Sequence, residues 1–305
     1  MKKLIFKLLI FSLPIVIFFS ICIALPATPK VNKSLLFAKI HKDDLLQNTP
    51  NPRLIFIGGS NLSFGLNSQM LKDSLKVNPI NTGISASIGL TFMLKSTLRY
   101  VKTGDIVVAV PEYTHYYNDY SLGNEDLFRT ILDVKLSDVF LLNFKQIKNL
   151  VCFIPKYSLS KINPEEYKTA IENEIYSVNS FNSFGDAFKH WNSKKEEYSP
   201  YGLGGIFNQE VISELNTFRN EVEAKGAIFI VSFPCYQATS YNNSFDNIKI
   251  VETELIKNKF KIMGSPERYA VPDSLTFNTP YHLIKKGVDY RTQLVIKDLI
   301  STINR

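Results

Sequence analysis

Residues 55–65 read IFIGGSNLSFG: an apolar run ends in two glycines, and Ser60 stands directly after them. Glycine lets a backbone turn sharply and lets other chain come close. The turn therefore presents the Ser60 hydroxyl and neighbouring amides, including that of Gly59, at the end of a strand. A serine hydroxyl is a weak nucleophile until a base takes its proton. Acyl transfer also needs N–H donors aimed at the developing oxyanion. Four histidines are available as base. His41 lies ahead of the first strand, and His190 sits in FKHWNSKK, an irregular stretch. His115 follows a strand in PEYTHYY, and His282 lies in FNTPYHLIKKG, a loop leading into the last helix. Spacing leaves His115 and His282 both open. Glu112, Tyr113 and Cys235 also follow strand ends and join the crevice candidates. The glycines could instead cradle a phosphate, but GGSNLSFG is neither G-x-G-x-x-G nor a Walker sequence. No histidine, cysteine and carboxylate grouping has metal-site spacing, so no metal or other cofactor is expected. The tyrosines of YTHYYNDY (113–120) could stack on sugar rings, or simply form the apolar side of an amphipathic segment.

The elements that must hold these residues alternate. Residues 53–58, 106–110 and 227–233 are short, continuous apolar runs, the pattern of strands buried on both faces. Residues 79–83 form a shorter strand. Helical spacing appears over 67–75, over 89–101, and over 208–226, where Val211, Leu215, Phe218 and Val222 share a face and Gly226 is placed to cap the end. Further helices are expected over 245–259 and 287–304, and PEEYKTAIENEIY is a helix candidate within 120–205. That stretch is rich in Asn, Ser, Tyr and Lys and reads as an insert or cap over the core. Strands alternating with helices imply an α/β fold with a parallel, flavodoxin-like three-layer sheet, whose sites gather at the C-terminal strand ends.

Residues 8–25 hold no charge and would span about 27 Å as a helix, close to a bilayer core. Lys2, Lys3 and Lys7 precede the run, so residues 1–29 read as a single-pass inner-membrane anchor. The N-terminus would be cytoplasmic and the remainder outside. A cleaved signal peptide near Ala24 and Ala27, giving a secreted protein, and lipidation at Cys22 are the alternatives. Residues 30–52 form a linker and lead-in helix, and 53–305 the α/β domain. The net charge of +7 falls to +4 without the three leading lysines, and there is no basic block, which argues against nucleic-acid binding. Cys152 and Cys235 match no zinc spacing; paired or free, both readings stand.

Three blocks within 53–292 together resemble the SGNH/GDSL hydrolase superfamily, in particular its membrane-anchored bacterial members that modify envelope polysaccharide. They are Gly58-Gly59-Ser60-Asn61, NTGISAS at 81–87, and NTPYHL at 278–283. The resemblance implies an SGNH-like fold with Ser60 as nucleophile and His282 as general base. It also implies an oxyanion hole from the amides of Ser60 and Ala86, the latter in the block that carries Gly83. It implies an esterase or O-acyltransferase acting on an acyl ester, acetyl foremost, of an envelope or exported polysaccharide through a Ser60 acyl-enzyme. Two departures stand out. The family supplies an asparagine side chain to the oxyanion hole where this chain has Glu112, a charge of the wrong sign if ionised; Asn61 is the substitute donor to consider. The acid that precedes the histidine is here Asn278, which can orient an imidazole but cannot compensate its charge. A non-catalytic scaffold that binds a glycan or a membrane acyltransferase as partner is therefore the rival reading.

Overall fold

The computed structural model describes residues 2–168 and 174–303. Among the described residues seven strands form: β1 (Arg53–Gly58), β2 (Asn78–Asn81), β3 (Ile106–Val110), β4 (Ile228–Ser232), β5 (Tyr236–Gln237), β6 (Ile262–Met263) and β7 (Ala270–Val271). Five make one parallel sheet in the order β2-β1-β3-β4-β6, and β5 pairs with β7 in a separate parallel ribbon. Leu54, Ile55, Phe56 and Ile57 are fully buried, as are Val107, Val108 and Ala109. That burial is why these strands read as unbroken apolar runs. β6 is two residues long, too short to carry a readable pattern, and the sequence does not reveal it.

The helices used below are α1 (Lys2–Ala24), α2 (Ala38–Asn48), α3 (Ser60–Ser63), α4 (Ser68–Leu75), α5 (Leu90–Leu98), α6 (Phe144–Leu150), α7 (Ile154–Lys161), α8 (Gln209–Ala224), α9 (Phe245–Lys257) and α10 (Lys285–Ile303). α5 and α8 pack on each other and on the sheet; α4 and α10 form a second such pair. Gly226 ends the α8 region at φ +75°, a conformation that favours glycine. Among the described residues, α1 is the helix long and apolar enough to cross a membrane by length and composition.

The order around β1 sets the site. Strands β2 and β3 flank β1, so the chain reverses direction across the sheet at the β1–β3 boundary, where crevices form. Gly58 of β1 pairs with Val110 of β3. Two residues beyond that pair stand Ser60 and Glu112, so register alone brings them together.

At the opposite ends of the same strands, Arg53 donates through Nε to Asp105 Oδ1 at 2.8 Å, and its NH1 and NH2 reach the Leu46 and Tyr100 carbonyls. The lead-in helix is tied in more deeply than a linker would be. The ammonium of Lys42 on α2 donates to the carbonyls of Asn81, Gly83 and Gly185, and burial lowers its pKa to about 7. The stretch 120–205 is likewise threaded through the core. Asp186 accepts from the Ser68 amide and hydroxyl, each at 2.7 Å, and from Asn81 Nδ2 at 2.9 Å, while the Ala187 amide donates to the Ser63 carbonyl. Of the helix expected in PEEYKTAIENEIY, Pro164–Tyr167 is a 3-10 turn, and residues 169–173 lie outside the described residues. Cys152 is exposed and Cys235 buried, and both are free thiols.

Candidate active site

Ser60 opens α3 immediately after β1 and is half-buried. The reason for Gly59 is proximity, not a left-handed turn: its φ is −87°, an ordinary value. A Cβ there would lie 2.7 Å from Glu112 Oε1, 2.8 Å from Ala86 Cα and 2.9 Å from Ala86 N. Gly83 answers a similar need, since a Cβ on it would lie 2.6 Å from the Gly59 carbonyl oxygen. Three loops thus meet at backbone distance. Among the described residues, neither the Ser60 amide nor the Ala86 amide donates to another protein group. Two free N–H groups beside a serine hydroxyl are what an oxyanion requires.

Glu112 faces Ser60. Its Oε1 accepts from the Ser60 hydroxyl at 3.2 Å, from the Asn61 amide at 3.0 Å and from Asn61 Nδ2 at 3.5 Å. Burial pushes the carboxyl above the ordinary range, while the hydrogen bonds from Asn61 and Ser60 and the nearby Arg291 pull it back in part. The expectation of Asn61 as the substitute oxyanion donor needs correcting. Asn61 is fully buried, and its Nδ2 is committed to the Val110 carbonyl at 3.2 Å as well as to Glu112. Tyr113 is corrected too. It is fully buried, edge-on to Tyr236 in the core, and offers no face to a crevice. Tyr116 and Tyr117 are also core, leaving Tyr120 as the half-buried member of that cluster.

The histidines separate clearly. His115 Nδ1 accepts from the Glu112 amide at 3.1 Å, so its Nε2 carries the proton and donates to the Ala86 carbonyl at 3.0 Å. With both nitrogens occupied it cannot act as a base. It clamps the Glu112 loop to the Ala86 loop. His41 reaches the Asn182 carbonyl, and His190 packs between Phe64 and Phe277. His282 stacks on Phe64, four residues after Ser60, with ring centroids 4.4 Å apart. Asn278 Oδ1 lies 3.0 Å from its Nδ1, and Asn278 Nδ2 donates to the Tyr176 hydroxyl at 2.7 Å. This arrangement places the proton on Nδ1 and leaves the Nε2 lone pair free of hydrogen bonds among the described residues. Burial, helped by nearby His190, lowers the His282 pKa to about 3, so the ring is neutral at physiological pH.

Sequence reasoning missed two contributors. Arg291, buried on α10, donates to the Asn61 carbonyl and, at 3.2 Å, to Asn61 Oδ1. Tyr176 steadies Asn278 from 102 residues away. Nothing adjacent to either residue marks it. The only clue was that an arginine on an apolar helix face must find oxygen partners when buried.

Three buried histidines make the fold acid-sensitive. His115 and His190 are held near about 4 and His282 near about 3, chiefly by burial, against about 6.5 in an unfolded chain. Between those values the unfolded state binds protons that the native state refuses, so stability is full above about 6.5 and is lost as pH falls. Glu112, Asp126, Asp186 and Glu214, whose carboxyls burial raises, oppose this from the ordinary carboxylate range up to their raised native values. Each histidine should remove up to about 1.4 kcal/mol of unfolding free energy per pH unit between pH 7 and pH 5, so His190→Gln should flatten the pH dependence relative to wild type. An identical pH slope in wild type and His190→Gln contradicts this assignment.

No protein-family model and no curated protein matches the chain. Among solved structures, the crystal structure of YxiM from Bacillus subtilis is similar at 15% identity and a TM-score of 0.39. The match covers 82% of this chain and spans 56% of the length of that one. A likeness at that level carries no weight about chemistry, which rests here on the geometry of this chain alone.

Proposed function

We propose that this protein is a serine esterase or O-acyltransferase that works through an acyl-Ser60 intermediate. The reading is carried by one observation: the Ser60 hydroxyl, two unpartnered amides and the buried Glu112 carboxyl converge where β1 and β3 end. His282 Nε2 takes the Ser60 proton as the hydroxyl attacks an acyl carbon, and Asn278 holds the ring in the required tautomer. The Ser60 and Ala86 amides bind the oxyanion. His282 then returns the proton to the leaving alkoxide, and water or a sugar hydroxyl releases the acyl group in the reverse sequence. The polysaccharide substrate, acetyl as the foremost acyl group, and the envelope location come from the resemblance of the three sequence blocks. α1 would hold the domain on the outer side of the inner membrane, with Lys2, Lys3 and Lys7 inside.

Glu112 fits this scheme as a neutral acid. All three hydrogen bonds converge on Oε1, leaving Oε2 to carry the proton. A protonated carboxyl beside the Ala86 amide supplies the third oxyanion donor that the family takes from asparagine. A buried carboxylic acid can stay neutral at neutral pH and donate in this way.

The rival reading, a scaffold that binds glycan or a membrane acyltransferase, draws on the same contact, because an ionised Glu112 would repel an oxyanion. A fluorophosphonate probe on the full-length protein in detergent separates the two. Covalent labelling should map to Ser60 by mass spectrometry and vanish in folded Ser60→Ala and His282→Ala variants. A folded wild-type protein that takes no label supports the scaffold.

A further inference from the structure

We propose that the folded domain itself enters the bilayer, through an apolar stripe on α6 and α7 that lies beside the anchor helix. The proposal rests on the reading of α1 as a membrane span and adds a second membrane-embedded surface to it.

α6, a 3-10 turn at Val151–Phe153 and α7 succeed one another with right-handed helical backbone at each junction. Along this run Phe144, Ile147, Val151, Pro155, Leu159 and Ile162 recur at spacings of three and four, the period of a single helical face. All six are exposed, Phe144 at 79% and Leu159 at 58%. The other faces differ in kind. Gln146 and Leu150 are buried against the domain. Lys145 and Asn149 line a groove shared with residues 206–210, while exposed Lys148 and Lys156 border the stripe, where their ammonium groups can reach headgroups as their stems lie along apolar surface. The run is therefore amphipathic, with an apolar side that remains exposed among the described residues apart from its edge on α1. A soluble surface rarely leaves a continuous apolar stripe bare.

What covers it is indicated by α1. Pro14, Ile15, Phe18 and Phe19 of α1 line one crevice with Pro155 and Leu159 of α7. Those α1 residues lie inside its apolar length: Phe19 precedes Ala24 by five residues, about 8 Å of helix, and Pro14 by ten, about 15 Å. If α1 crosses a bilayer, anything touching Phe18 and Phe19 sits below the headgroups. Pro155 and Leu159 are carried to that depth, and the stripe leads from them out along α6. A helix lying in the interface buries its apolar face by about 5–10 Å, which matches the shallow end of the crevice at Phe19, with Pro14 marking its deep end. The occupant is lipid, because the surface is continuous with the lipid-facing side of α1.

The test uses full-length protein in phosphatidylcholine vesicles whose acyl chains are brominated either near the headgroup or near the chain middle. Trp191 is the only native tryptophan. In a Trp191→Phe background, single tryptophans are placed as Phe144→Trp and Leu159→Trp in the stripe. Phe11→Trp reports the anchor, and Ile256→Trp reports the exposed side of α9. Phe144→Trp and Leu159→Trp should be quenched more strongly by the shallow bromines than by the deep ones, as the depth of an interfacial helix face requires. Phe11→Trp should respond to the deep ones, and Ile256→Trp to neither. Quenching of Phe11→Trp with both stripe positions silent overturns the proposal and leaves the anchor standing. Silence at Phe11→Trp overturns the anchor reading, and the proposal falls with it.

Discussion

Glu112→Gln should keep Ser60 reactive, whereas Glu112→Ala should slow its labelling by about 10²–10³-fold. Glutamine keeps the carbonyl oxygen that accepts from Ser60 and Asn61, and it places an NH₂ where the acid carries its proton. Alanine removes both. The pH profile gives the sign independently. Burial raises the Glu112 pKa, so the donor is present below that pKa and lost as pH rises through it, leaving a carboxylate that opposes the oxyanion. Wild-type labelling should therefore decline on the alkaline side, and Glu112→Gln should lack that decline. On the acid side no loss from His282 is expected until about pH 3, because the ring stays neutral to that point. The opposite result is equally definite. If Glu112→Gln abolishes labelling while His282→Ala retains it, the carboxylate is the base of a Ser60–Glu112 pair, and His282 loses its role.

The parts of this site that were legible share a cause. Ser60 and Glu112 each come after a strand whose apolar run is unmistakable, Ala86 follows the short strand β2, and parallel strands deliver their trailing loops to one edge of the sheet. The register Gly58↔Val110 then fixes the Ser60–Glu112 approach to within a hydrogen bond. The direction of Glu112 was not legible, since rotation about two side-chain bonds leaves no trace in sequence. His115 is committed by local pairing: a histidine three residues into a turn can bond back to the Glu112 amide, and this one does. Arg291, Tyr176 and Asp186 were invisible for another reason. Each acts across more than 100 residues on a group that is itself unremarkable in sequence, such as the Asn61 carbonyl or the Ser68 amide. The stretch 120–205 looked like a cover because it is polar, yet its Asp186 is among the most buried carboxyls in the fold. Polar composition marked buried polar contacts there, such as those of Asp186 with Ser68 and Asn81, and composition cannot distinguish that from a solvated loop.

Gly59→Ala should leave a folded protein whose Ser60 no longer labels. The added methyl would stand within 2.9 Å of Ala86 N and Cα and 2.7 Å of Glu112 Oε1. None of these neighbours is a flexible tip free to swing aside. The Ala86 carbonyl is held by His115 Nε2, and the Glu112 carboxyl by the Asn61 amide. The loops must therefore separate, by an amount small for the fold but large for an oxyanion hole, where a misplacement of about 1 Å costs about 10²-fold or more. The expected stability cost of such overpacking is about 1–3 kcal/mol, small enough to leave a cooperative thermal transition. Gly204→Ala is the matched control, because its Cβ would meet nothing within 4 Å. The diagnostic pattern is a modest fall in midpoint with loss of labelling in Gly59→Ala, and wild-type behaviour in Gly204→Ala. Wild-type labelling in Gly59→Ala would mean that Ala86 and Glu112 need not stand at this distance for Ser60 to react. The two amides and the acid would then have to be withdrawn together as the oxyanion site.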